Sequence, residues 1–170
     1  MQARDIMTPG PRCVSSADSV ENVAKLMRDT DCGSVPVVQR DGKLLGIVTD
    51  RDLAVRCLAS GAGPETPVSK VMTLYPFTAT ADDDVRGVER LMAERQVRRV
   101  PIVDADGHCI GIISQGDLAR VAAAKPEMVS DREVAIVVER ISSPQPMRRS
   151  DPRFAETVRI DRTGEHHQSG

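Results

Sequence analysis

Aromatic side chains are nearly missing from this chain: among 170 residues there are two Phe, one Tyr and no Trp. Non-specific binding of single-stranded nucleic acid needs several stacking rings, so that class of function has little material here. Charge of one sign is missing too. With 23 Lys and Arg against 25 Asp and Glu the net charge is -2, so any anion site must be local. No run approaches the roughly 18 apolar residues that span a bilayer, and the N-terminus lacks a basic-then-apolar leader pattern, so no membrane partner is expected and the expected location is cytoplasmic. Cys13, Cys32, Cys57 and Cys109 are scattered singly, without the close pairs of a zinc site, and read as small buried hydrophobes. Of three His, His166 and His167 fall in a polar C-terminal stretch and His108 stands alone, so no metal site is expected. What remains is 40% apolar residues, enough for one substantial core or two small ones.

The chain contains a duplication. GIVTDRDLA from Gly46 recurs as GIISQGDLA from Gly111, a gapless offset of 65 that also matches Met7 with Met72, Val20 with Val85, Pro36 with Pro101 and Asp52 with Asp117. Within each copy the apolar period changes in order. Val20, Val23, Ala24 and Met27, and again Val85, Val88 and Met92, are spaced for one face of a helix, with Asp18 and Glu21 as a start signal. Two β-branched runs follow, Ser34 to Val38 and Leu44 to Thr49, joined through the hairpin signal Asp41-Gly42; Arg99 to Val103, Asp106-Gly107 and Cys109 to Ser114 repeat them. A further helix is expected from Asp50 to about Ala59 and from Gln115 to about Ala124. The recurrent methionines Met7, Met27, Met72 and Met92 read as core fillers.

These patterns give an α/β (α+β) fold of two repeats, residues 3–60 and 70–125, with a Gly- and Pro-rich linker over 61–69. One unit of roughly 50 residues is marginal alone, and packing two sheet to sheet buries the exposed faces. Ser130 and Glu133 form a capping pattern for a C-terminal helix over 130–142, with Val134, Val137, Val138 and Ile141 as its apolar stripe. Residues 144–170 are polar and proline-punctuated, and little fixed structure is expected there. Arg148, Arg149, Arg153, Arg159 and Arg162 in that tail are offset by Asp151, Glu156, Asp161 and Glu165, so it gives no expectation of nucleic-acid binding.

The repeated hydroxyl and carboxylate carry the chemistry. Thr49 at a strand end and Asp52 in the first turn of the next helix can converge beside a helix N-terminus, where a carboxylate suits ribose hydroxyls and the backbone N–H groups favour a phosphate. Ser114 and Asp117 repeat the arrangement. The same spacing serves helix capping, although capping alone would prefer the longer Glu at the far end. Spacing does not separate the two.

Taken together, DIMT, SVPVV and GIVTDRDLA, then KVMT, RVPIV and GIISQGDLA, resemble a tandem pair of cystathionine β-synthase (CBS) domains, the Bateman module, in the small stand-alone form of the hypoxic-response type. The resemblance spans about residues 3–124. It implies packing about a pseudo-twofold axis, two clefts for adenine nucleotides (AMP, ADP, ATP) or related adenosine compounds, no required cofactor, and a homodimer. It also implies roles: Thr49, Asp52, Ser114 and Asp117 for ribose; Cys13, Val14, Val35, Thr78, Ala79 and Val100 as walls for adenine. Arg51 stands where the second motif has Gly116, and Arg98 and Arg99 stand where the first repeat has Gly33 and Ser34, so the clefts are not equivalent and these arginines are the candidates for phosphate.

The functional expectation is a non-catalytic sensor whose ligand shifts conformation or contacts to a regulated protein. No nucleophile with a base, metal cluster or phosphate loop suggests an enzyme. The homodimer implied by the resemblance is expected to be aided by the stripe from Val134 to Ile141; the alternative function is a structural adaptor or dimerisation protein with empty clefts, in which the acids are caps.

Overall fold

The computed structural model describes residues 1–124, 126 and 129–143; the expectation for 144–170 lies outside these residues. The elements run β1 (Thr8–Pro9), β2 (Val14–Ser15), α1 (Val20–Asp29), β3 (Ser34–Val38), β4 (Leu44–Thr49), α2 (Asp50–Asp52), β5 (Thr73–Leu74), β6 (Ala79–Thr80), α3 (Val85–Arg95), β7 (Arg99–Val103), β8 (Cys109–Ser114), α4 (Gln115–Ala124) and α5 (Asp131–Ser142). The architecture is a mixed α/β pair of repeats, as expected. Among the described residues no helix is long and apolar enough to cross a membrane.

The helix starts are set by short polar side chains. Ser19, one residue after the expected position, caps α1 by accepting from the Asn22 N–H at 3.2 Å, while Asp18 instead accepts from the Ser15 N–H at 2.7 Å. Val20, Val23 and Met27 are buried and Ala24 is exposed, so the apolar stripe is narrower than its spacing suggests. The helix after β4 also differs from expectation. Only Asp50–Asp52 is α-helical; the chain then widens into a π-turn over Leu53–Cys57 and closes as a 3-10 turn over Leu58–Ser60.

Each hairpin forms half of a four-stranded sheet, and the other strands come from two places. In one sheet the order is β2-β3-β4-β5, in the other β1-β8-β7-β6. Strands β2 and β6 pair in parallel with the hairpin that follows them. Strands β1 and β5 are exchanged: Thr8 and Pro9 lie antiparallel to Ile112 and Gly111, and Thr73 and Leu74 to Ile47 and Gly46. The residues just before β1 and β5 are exchanged as well. The Val20 N–H donates to the Thr66 carbonyl at 2.9 Å and the Val85 N–H to the Met1 carbonyl at 3.0 Å, so each lead segment satisfies the first turn of the opposite repeat's helix. The linker over 61–69 is therefore tied down at its C-terminal end.

Close backbone approach explains the strand glycines Gly46 and Gly111. A Cβ on Gly46 would lie 2.8 Å from the Thr73 carbonyl oxygen and 2.9 Å from the Met72 sulfur, and one on Gly111 would meet the Met7 side chain. The expected core methionines Met7 and Met72 thus seal the exchanged strands. At the hairpin tips Gly42 and Gly107 adopt φ of +86° and +87°, and the two tips pair with each other through Lys43 and His108, with the Leu44 N–H donating to the Gly107 carbonyl at 2.9 Å.

Two cores result, one around Val23, Val35, Val37 and Val48, the other around Val88, Met92, Val100, Ile102 and Ile113. Helix α5 extends the second. Ser130 and Glu133 form the expected capping box, and Val137 and Ile141 are buried against α3 and α4. This corrects the expectation of a dimerising stripe: its central residues are consumed within the chain, and only Val138 stays exposed. Gln96, in the left-handed region at φ +52°, donates its side-chain N–H to the Arg140 carbonyl at 3.0 Å and fixes the far end of α5.

Between α3 and α5 sits a buried Glu89, whose Oε1 has no hydrogen-bond partner among the described residues. Desolvation raises its pKa above the ordinary carboxyl range, helped by Glu133 and Asp84 and opposed by Arg86 and Arg90. The folded protein therefore holds this proton more tightly than the unfolded chain, and stability falls as pH rises from the ordinary Glu range through the raised pKa. Glu89→Gln is expected to be roughly 1 kcal/mol more stable than the parent at pH 7, with the difference vanishing near pH 4. Urea melts at both pH values measure it, and a less stable Gln variant at pH 7 contradicts it.

Candidate functional site

Both hydroxyl–carboxylate pairs sit where the sequence puts them, at the last residue of a strand and the third residue of the next helix. In the first, the Asp52 Oδ2 accepts from the Thr49 N–H at 2.9 Å and from the Thr49 hydroxyl at 2.7 Å, and the Asp52 N–H returns a bond to Thr49 Oγ1 at 3.2 Å. In the second, Asp117 Oδ2 accepts from the Ser114 N–H at 2.7 Å and its hydroxyl at 2.6 Å, and the Asp117 N–H donates to Ser114 Oγ at 3.3 Å. Capping is thus built into both pairs. It uses one carboxylate oxygen and leaves Oδ1 free for other work.

What meets Oδ1 differs between repeats, and here the clefts part company. Arg56 lies 3.3 Å from Asp52 Oδ1 and also donates to the Val71 carbonyl at 2.9 Å and to Thr73 Oγ1 at 3.2 Å, so it is pinned to the exchanged lead segment. Residue 121, its equivalent in the second repeat, is Val. Asp117 is instead paired with Arg120, whose side chain is 72% exposed while that of Asp117 is 8% exposed. Among the described residues Arg120 makes no second hydrogen bond, so moving it breaks one exposed contact rather than three.

The space that Arg56 fills in the first repeat is open in the second. A cleft of about 260 Å³ lies beside Asp117, lined by Met1, Asp5, Ile6, Arg120, Val121 and Ala124. Its walls come from α4 and from the exchanged first segment, so neither repeat builds it alone. Apolar side chains on one side and a buried carboxylate at the edge suit a ligand with a flat apolar part and vicinal hydroxyls.

The other expected residues are placed as follows. Val35 and Val100 pair with Val48 and Ile113 and have no exposed surface, so contrary to expectation they wall no base in this conformation. Ala79 is buried in the second core, Thr78 is exposed, and Cys13 and Val14 are half-buried. None of these lines the cleft at Asp117. Arg51 and Arg98 are exposed, whereas Arg99 reaches into the first repeat: a Cβ on Gly33 would lie 2.7 Å from its terminal nitrogen and 2.9 Å from Asp50 Oδ2. Arg99 thus attends the start of α2, and the arginine at the open cleft is Arg120. An arginine three or four residues after a helical acid was a legible signal for both Arg56 and Arg120. Met1, Asp5 and Ile6 gave none, because their role depends on strand exchange.

A group left out of the sequence expectation is Asp104, Asp106 and His108, whose potential ligand atoms lie within 4.8 Å of one another at a hairpin tip. Here Asp104 Oδ1 closes the turn, accepting from the N–H groups of His108 at 2.8 Å and Asp106 at 3.0 Å, and the first of these bonds leads in lowering the Asp104 pKa.

Comparison with known proteins agrees with the fold. The chain is 39% identical over 116 residues to the CBS domain-containing protein YhcV of Bacillus subtilis, covering 68% of this chain and 81% of that protein. It is 35% identical over 121 residues to Hypoxic response protein 1 of Mycobacterium tuberculosis, covering 69% and 82%. Among solved structures, CBSX2 in complex with AMP superposes with a TM-score of 0.63 at 30% identity, over 72% of this chain and 96% of that one. The CBS domain pair of MJ0100, in complex with 5'-methylthioadenosine and S-adenosyl-L-methionine, gives 0.69 at 29% identity, over 74% and 98%. The CBS domain model itself matches twice, over residues 3–58 and 68–124, and the chain belongs to the CBS domain family as a tandem pair.

Proposed function

We propose that this chain is a non-catalytic regulatory module that binds an adenine nucleotide or a related adenosine compound in the cleft beside Asp117. The observation that carries the reading is the difference between Arg56, pinned across the first cleft, and Val121, which leaves the second open beside a buried carboxylate. In the bound state Asp117 Oδ1 accepts from the ribose hydroxyls, Oδ2 keeps its capping bonds, and the base packs against Ile6, Val121 and Ala124. Arg120, displaced from Asp117, turns to the phosphate, where a guanidinium fork matches the oxygens. Binding stabilises one arrangement of the exchanged segment over others, and a partner protein or second copy reads that arrangement. The complexes of CBSX2 and MJ0100 with adenosine compounds support this ligand class.

One observation favours the adaptor reading: both acids are fully used as caps and arginine partners without any ligand. Thermal melts against adenosine, AMP, ADP, ATP, NAD and S-adenosylmethionine separate the two. A ligand at a hundred times its Kd is expected to raise the melting temperature by roughly 5–10 °C. In Arg120→Ala the shift by adenosine persists while the advantage of AMP over adenosine is lost. The absence of any shift across the panel rejects the nucleotide reading in favour of the adaptor.

A further inference from the structure

Two of the chain's three aromatic residues, Tyr75 and Phe77, stand in one exposed stretch; the third is Phe154. Leu74, Tyr75 and Phe77 are 51%, 80% and 44% exposed where the chain leaves β5. The Tyr75 N–H extends the β5 ladder by donating to the Leu45 carbonyl at 3.0 Å, and the residue takes φ +48°. Its equivalent in the first repeat, by the offset of 65, is Gly10, which adopts φ +56° without a steric penalty. A tyrosine in that region is strained, and among the described residues its exposed ring regains little by burial. The same offset sets Leu74 against Pro9 and Phe77 against Arg12, so this apolar surface belongs to one copy of the duplication alone.

The described chain ends close to that surface. The Arg95 guanidinium stands 4.6 Å from the centre of the Phe77 ring, and the next residue, Gln96, donates its side-chain N–H to the carbonyls of Arg140 at 3.0 Å and Ser143 at 3.4 Å. Residues 144–170 therefore start beside the neighbour of Arg95. Among them Phe154, Glu156, Val158 and Ile160 occupy alternate positions, which in an extended chain share one side: three apolar groups and an acid. The surface of Leu74, Tyr75, Phe77 and Arg95 offers three apolar groups and a cation.

We propose that residues 154–160 dock within their own chain on Leu74, Tyr75 and Phe77, with Glu156 against Arg95. The proposal does not rest on the nucleotide reading. About ten residues lie between Ser143 and Phe154, and at about 3.3–3.6 Å each they reach on the order of 35 Å. Tethering also holds the segment at an effective concentration on the order of millimolar, so a surface too small to bind a separate peptide retains an attached one. Arg95 covers one face of Phe77, the incoming apolar side chains cover the Tyr75 ring, and that burial offsets the strain of its backbone. The exposed pair of Glu156 and Arg95 sets orientation more than strength. Because Thr73, in the same exchanged strand, accepts from Arg56 at 3.2 Å, the docked segment also steadies the strand that closes the first cleft.

Tyr75 is the one tyrosine and the chain has no Trp, so intrinsic fluorescence reports on this surface alone. The test is acrylamide quenching of the full-length chain over a range of protein concentrations, with N-acetyltyrosinamide as the free reference. The parent is expected to be quenched less steeply than the reference, to the same degree at every protein concentration. Phe154→Ser and Glu156→Arg are expected to lose that protection, whereas Thr157→Ser, on the other side of the run, behaves as the parent. Circular dichroism and urea melts check that the two repeats stay folded in each variant. A parent quenched as steeply as the reference, or protection that survives Phe154→Ser or Glu156→Arg, overturns the proposal. Protection that fades on dilution together with a dimer seen by sedimentation overturns it as well, since a second copy then supplies the cover.

Discussion

Asp117→Ala is expected to cost about 2–3 kcal/mol of stability, lowering the melting temperature by roughly 5–10 °C, and to abolish the thermal shift by any adenosine ligand. The stability loss follows from what the carboxylate does without a ligand. Its Oδ2 satisfies the Ser114 N–H and hydroxyl, and its Oδ1 pairs with Arg120, at a side chain 8% exposed. Truncation leaves a strand-end N–H and a hydroxyl without an acceptor in a place water reaches poorly. Asp52→Ala removes the same cap from a more open site, its side chain being 13% exposed, and also frees an arginine that keeps two other partners. It is expected to cost about half as much and to leave ligand binding at Asp117 intact. Denaturant melts with and without AMP measure both variants. Loss of the ligand shift in Asp52→Ala, with retention in Asp117→Ala, assigns the working cleft to the first repeat instead.

A single methyl group added at Gly46 is expected to be nearly as damaging. Gly46→Ala places a Cβ 2.8 Å from the Thr73 carbonyl oxygen, a backbone atom of the exchanged strand β5, so relief requires the strand to move. The expected cost is about 2–3 kcal/mol, toward the upper end for overpacking. At the equivalent Gly111 the obstacle is the Met7 thioether, which rotates away, and Gly111→Ala is expected to cost no more than about 1 kcal/mol. Urea denaturation of the two variants gives the comparison directly; a costlier Gly111→Ala shows that Met7 is held as rigidly as backbone.

The repeat, the hairpins and the strand-to-helix acids were legible in the sequence because they rest on short-range signals. Asp41-Gly42 and Asp106-Gly107 dictate turns, β-branched runs dictate the strands they join, and Ser130 with Glu133 dictates a cap. Pairings over long separations were not legible. Nothing near Thr8 says that its partner is Ile112 rather than Ile47, since both hairpins offer an equivalent edge and the glycines that admit the strand occur in both. The open cleft was hidden for the same reason, being walled by Met1, Asp5 and Ile6 only through that exchange. The base-wall positions Val35 and Val100 follow a motif faithfully but sit in strands buried over consecutive residues, from Ser34 to Val37 and from Val100 to Ile102. The apolar stripe of α5 was read correctly as a stripe; that its partner is α3 and α4 depends on where the chain returns after α4.

Strand exchange gives the two halves different histories during synthesis, although their strand pairings are equivalent in the finished molecule. The edge of β4 at Gly46 receives its partner Leu74 after about 30 further residues, whereas Pro9 waits about 100 residues for Gly111. At a synthesis rate of about 5–20 residues per second, the first interval lasts roughly 1.5–6 s and the second roughly 5–20 s. Through the longer interval Ala3, Ile6 and Met7 have no core to enter, because the helix and strands that cover them have not been made. Of the residues in the two repeats, those around Ala3 are synthesised before the rest and are thus among the last to find their place.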